Sequence, residues 1–80
     1  MTYDFINYSV KCDSWIQIKH LSEIAELQGL KSSFFEFNEN EFNEGCKYFT
    51  AICGVYVMQK VVSSMTTEIH YSELLKENHI

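Results

Sequence analysis

Residues 46–62 read CKYFTAICGVYVMQKVV, apolar almost all round, and this segment most narrows what the chain can become. Two templates compete for it. Phe42, Cys46, Phe49, Cys53, Tyr56 or Val57, and Val61 recur at helical spacing, behind acidic residues placed where the helix dipole favours them. Val55, Val57, Val61 and Val62, with the aromatics Tyr48, Phe49 and Tyr56, suit a strand instead, and Cys53-Gly54 then offers a hairpin turn. The expectation is a helix, with the hairpin as its alternative. A helix over 40–64 would be roughly 37 Å long, whereas a globule of 80 residues is only about 30 Å across. Either Gly54 breaks such a helix, or its surplus apolar surface is buried against a second copy or another protein.

The rest of the chain is easier to divide. Over residues 3–11, Ile6, Tyr8 and Val10 alternate with Asn7, Ser9 and Lys11, the period of a half-buried strand. Asp13 or Ser14 then offers an N-cap, and Trp15, Ile18, Leu21, Ile24, Ala25 and Leu27 recur at helical steps up to Gly29, so a helix is expected over 14–28. Residues 31–38 alternate again and predict a second strand. The polar stretch 38–45 is a loop or a helix start. Near the end, Ile69 and Tyr71 alternate as in a strand, and Ser72 is placed to cap a short helix over 73–79 that carries Leu74 and Leu75. The expected fold is a single α+β domain over residues 1–80: strand, helix, strand, long helix or hairpin, strand, short helix. No repeat, linker or low-complexity run divides it.

Charge excludes some functions. The chain has 6 basic residues, all lysine, against 11 acidic ones, a formal net charge of −5. That balance repels a phosphate backbone, and without arginine the bidentate fork that grips phosphate or reads guanine is missing, so direct nucleic-acid binding is not expected. The apolar run over 48–58 is far shorter than the roughly 20 residues that span a bilayer. The opening MTYDFINYSV has neither a basic n-region nor an apolar h-region, and Cys12, Cys46 and Cys53 are an odd set without CxxC spacing. Both features fit a reduced, cytoplasmic setting.

Catalytic signatures are sparse. Cys12, Cys46 and Cys53 with His20, His70 and His79 permit a thiol nucleophile and a base, but the neighbours of each cysteine are apolar or acidic, the opposite of what a reactive thiolate needs. No short-spaced His, Cys or carboxylate set suggests a metal, and with Gly29, Gly45 and Gly54 as the only glycines no loop suits a phosphate. His70 with Glu68 and Glu73 reads as a solvated strand-to-helix junction. Neither an enzyme nor a cofactor is expected.

The most uneven feature is acidic. Glu36, Glu39, Glu41 and Glu44 fall in a short stretch without a basic residue, among Phe35, Phe37 and Phe42. Charge runs are usually solvated faces, but this one also fits a contact surface for a basic groove, with carboxylates standing in for phosphates. Trp15 is an aromatic of the kind that anchors interfaces. In composition the chain, short, acidic, rich in Asn, Phe and Tyr and without Pro or Arg, is similar to small accessory proteins of bacteriophages and AT-rich genomes. The expected function is therefore a non-enzymatic protein-binding module, an inhibitor or adaptor encoded by a phage or bacterium and acting in the host cytoplasm if phage-encoded. It would occlude a basic surface of a larger partner through Glu36, Glu39, Glu41, Glu44, Phe42 and Trp15. The alternative is a structural homodimer assembled through the apolar segment 49–61.

Overall fold

The segment 46–62 is a β-hairpin, which corrects the expected helix over 40–64. In the computed structural model, which describes Phe5, residues 7–32 and residues 37–77, β3 (Tyr48–Ile52) and β4 (Val55–Gln59) pair antiparallel with Thr50 opposite Val57. The physical reason is the alternation that the helical template ignored. Directly opposed residues share a face, so Phe49, Ala51, Tyr56 and Met58 line one side of the sheet and Tyr48, Thr50, Val57 and Gln59 the other. The turn is the expected Cys53-Gly54, with φ of 50° and 82°. Two positive φ values belong to the two-residue turn whose twist matches the flanking strands. Gly54 adopts that conformation without steric penalty, while Cys53 carries a Cβ into it.

The other elements are β1 (Tyr8–Lys11), α1 (Trp15–Leu27), β2 (Lys31–Ser32), α2 (Glu39–Asn43), β5 (Thr67–His70) and α3 (Tyr71–Glu77). They form an α+β domain with one five-stranded sheet in the order β2-β4-β3-β1-β5. β1 runs antiparallel to β3 and parallel to β5, and β2 runs parallel to β4. The domain measures 31 × 25 × 23 Å, so no element protrudes as the long helix would have.

Within the described residues, β1 keeps the end of the strand expected over 3–11, and Tyr3, Asp4 and Ile6 lie outside them. The strand expected over 31–38 begins as β2, residues 33–36 lie outside the described residues, and at Asn38 the chain already caps a helix. That helix, α2, is all that survives of the long helix, its acidic start. α3 begins two residues before the expected helix, and residues 78–80 lie outside the described part.

One face of the sheet carries the core. Val10, Cys12, Phe49, Tyr56 and Ile69 meet Ile18, Leu21 and Ala25 of α1, Leu74 of α3, Phe42 of α2 and Phe5. Phe49 stacks on Tyr56 with ring centres 5.5 Å apart and meets Phe5 edge-on at 5.4 Å. Ser14 precedes α1 in extended conformation, and the helix ends with Gly29 N–H donating to the Glu26 carbonyl and Leu30 N–H to that of Ala25. Leu27, expected among the inward residues of α1, is 88% exposed.

Among the described residues the opposite face has no helix. There residues 60–66 cross the sheet from β4 to β5 as a strap and cover Ser9 and Thr50, both fully buried.

Candidate functional site

α2 gathers the acidic residues into a defined shape. Asn38 is its N-cap, with Oδ1 accepting from Glu41 N–H at 3.0 Å. At the other end Gly45 N–H donates to the Phe42 carbonyl and Cys46 N–H to that of Glu41, the paired bonds of a Schellman stop. Gly45 sits at φ +123°, a conformation that L side chains rarely adopt, so glycine is what lets the chain turn away after Glu44. Glu39 and Glu41 occupy the first turn, where the helix dipole favours carboxylates.

Phe42 points inward, 4% exposed, and so anchors the patch to the body instead of facing a partner. Its ring meets half-buried Trp15 edge-on at 6.5 Å, Trp15 also packs on Phe37 at 5.6 Å, and Lys47 Nζ stands 3.6 Å from the centre of the Phe42 ring. The structure therefore brings Trp15, Phe42, Glu39, Glu41 and Glu44 to one corner. Glu36 lies outside the described residues. Glu39 and Glu44 are exposed, and Glu41 is half-buried with one carboxylate oxygen 4.0 Å from Cys46 Sγ, a thiol that donates weakly. Among the described residues no lysine forms an ion pair with Glu39 or Glu44, and the nearby ammonium, Lys47, lies over a ring.

A second polar group joins residues far apart in sequence. His70 Nε2 is 2.8 Å from Asp13 Oδ2, and Nδ1 is 2.9 Å from Ser72 Oγ while accepting Ser72 N–H at 3.2 Å. The order Ser, His, Asp invites comparison with a nucleophile relay, but the geometry is that of a helix cap. One Nδ1 lone pair serves both the amide and the hydroxyl of Ser72, so taking the hydroxyl proton would compete with the bond that starts α3. The neutral ring then carries its proton on Nε2 and donates it to Asp13. No spacing in the sequence links Asp13 to His70; only the parallel pairing that sets Lys11 beside His70 does so.

Two of the three thiols are packing groups. Cys12 is buried, its Sγ donating to the Val10 carbonyl at 3.7 Å, and burial together with the Asp13 charge pushes it up to about 12. A thiol so protonated is no nucleophile near neutrality. Cys46 is also buried, although on a loop and not on the expected helix. Cys53 is exposed at the hairpin turn. Burial and then the Glu26 carboxylate raise Tyr56, whose hydroxyl donates to Glu26 at 3.1 Å. Desolvation and Glu68 raise Tyr48 in the same way.

Among the described residues no group of three or more His, Cys, Asp or Glu side chains could hold a metal ion, and no helix is long and apolar enough to cross a membrane. Comparison with protein-family models, curated proteins and solved structures finds no match for this chain.

Proposed function

We propose that the chain is a non-enzymatic protein-binding module, an inhibitor or adaptor that occludes a basic surface of a larger partner. The observation that supports this reading is the presentation of Glu39, Glu41 and Glu44 on one short helix, capped at both ends and pinned by the buried Phe42. A carboxylate on a mobile loop loses conformational freedom when it binds; one on a clamped helix has little left to lose. Trp15, half-buried beside these carboxylates, supplies flat apolar surface at the edge of the same corner. Long-range attraction steers a basic partner to this corner, and exclusion of whatever else that surface binds follows from occupancy.

The test begins with affinity capture on the immobilised chain. The captured protein is then titrated against wild type and against the triple variant Glu39→Gln/Glu41→Gln/Glu44→Gln at low and high salt. Exposed charge contacts are worth about 0.5 kcal/mol each, so the triple variant is expected to bind roughly tenfold more weakly and with a flatter salt dependence. Equal affinity and an equal salt slope would show that the carboxylates are only solvated, and would overturn the reading.

A further inference from the structure

The outward face of α1 matches itself. Ile18, Leu21, Ser22 and Ala25 point into the core, and directly opposite them on the helix run Ile16, His20, Glu23 and Leu27. Ile16 and Leu27, three turns apart, are 78% and 88% exposed. Beside the N-terminal half of this face lies a groove of about 520 Å³ lined by Ile16, Lys19, His20, Glu23 and Tyr71. The Tyr71 side is held in place by the contact between its hydroxyl and His20 Nδ1, 2.5 Å apart. The same helix thus carries an exposed apolar residue, Leu27, at one end and an open groove lined in part by Ile16 at the other.

We propose that this face docks against a second copy of itself, antiparallel, about a two-fold axis near the middle of α1. In the register that sets Leu27 of one copy on Ile16 of the other, His20 faces the second copy's Glu23, and Lys19 falls between its Glu23 and Glu26. Both copies gain the same contacts, as a two-fold requires. The reverse, parallel packing sets Ile16 against Ile16 but also Glu23 against Glu23 and Lys19 against Lys19, so charge selects the antiparallel form. Glu26 keeps its contact with Tyr56, since only one of its oxygens is engaged there. The face is only about 20 Å long and about 10 Å wide, below the standard size for a stable complex, so the association is weak and concentration-dependent. This surface is distinct from the acidic corner on α2, and the dimer neither requires that corner nor uses the segment 49–61.

Sedimentation equilibrium up to about 1 mM tests the proposal, a range chosen for affinities near the weak end. The wild-type mass is expected to rise from 9.4 kDa towards twice that value. Leu27→Asp, at an exposed position that leaves folding intact by circular dichroism, should stay monomeric throughout. Glu23→Lys should associate at least tenfold more weakly, and Lys19→Glu/Glu23→Lys should show partial recovery, because Lys19 and Glu23 are exchanged across the two-fold while His20 and Glu26 are not. The triple glutamine variant on α2 should associate like wild type, which separates this outcome from the fate of the functional reading. A wild type that remains monomeric, a Leu27→Asp variant that associates equally well, or a charge exchange without recovery would each overturn it. If the wild type is monomeric and Leu27→Asp loses capture of a different protein, the face belongs to that protein and the two-fold is wrong.

Discussion

Cys12 shows how one side chain couples the core to pH. Its thiol is 1% exposed, and burial first and the Asp13 charge second push it from an ordinary 9.0 up to about 12. Below pH 9 the thiol is protonated in folded and unfolded chains alike, so it has no linkage effect. Above pH 9 the unfolded chain releases this proton and the folded chain keeps it, so stability falls as pH rises, until the folded thiol itself ionises near 12. The slope is about 1.4 kcal/mol per pH unit. At pH 8, Cys12→Ala should be less stable than wild type by the cost of its cavity. Urea unfolding at half-unit steps should show that difference shrinking from about pH 9 upward at this slope, while the contribution of Tyr56, raised above its ordinary 10.0, is common to both chains and cancels. A difference that stays constant to pH 10.5 would mean that the thiol is accessible to water. The sequence shows Cys12 only as a small hydrophobe after a strand; the Asp13 charge beside it is legible, but the depth of burial comes from α1 folding over it.

At the scale of elements, α3 depends on a side chain outside it. His70, the last residue of β5, accepts Ser72 N–H, and Asp13 holds the ring through Nε2. Replacing a side-chain cap by alanine costs about 1 kcal/mol, and the exposed hydrogen bond from Nε2 to Asp13 adds at most a similar amount. His70→Ala is therefore expected to lower stability by about 1–2 kcal/mol and to speed amide exchange selectively in α3. Asp13→Asn, which keeps a hydrogen-bond acceptor, should cost much less. Amide exchange by NMR reads both, and uniform acceleration over all elements would show that the cap does not act locally. Elements with a single period were legible in the sequence: α1 from Ile18, Leu21 and Ala25, β1 from its alternation, and the end of the chain from Ile69 and Leu74. The segment 46–62 was not, because alternation and helical spacing share Phe49, Tyr56 and Val57. What decided it was a turn with two positive φ values, for which Gly54 is a signal and Cys53 is not. The acidic corner was legible as composition, whereas its shape, with Phe42 turned inward and Trp15 against it, depends on where α2 lands.

For the whole molecule, the critical crossing is the strap over residues 60–66. β4 and β5 run the same way in the sheet with β3 and β1 between them, so the chain must cross a face to join them, and it does so opposite the helices. Among the described residues no helix covers that face. Instead Ser9 acts as a hub: Thr66 Oγ1 donates to the Ser63 carbonyl at 2.9 Å, so it accepts from Ser9 Oγ, which in turn accepts Ser63 N–H at 3.0 Å and the Thr50 hydroxyl at 3.1 Å. Every proton in the chain of contacts has one acceptor, which is what a buried polar cluster requires. Ser9→Ala removes an acceptor from two donors at once, the buried Thr50 hydroxyl and the half-buried Ser63 N–H, and leaving such groups unpaired costs about 1–3 kcal/mol. The loss should be directional. Among the described strands β5 pairs with β1 alone, and the strap joins it there, so its amides should lose protection before those of β3 and β4, and the urea midpoint should fall with an unchanged slope. Thr50→Val removes a donor without orphaning Ser63 N–H and should cost less than Ser9→Ala. If the two substitutions cost the same, the strap is held by shape alone, and the hydroxyl hub is a consequence of the crossing instead of its cause.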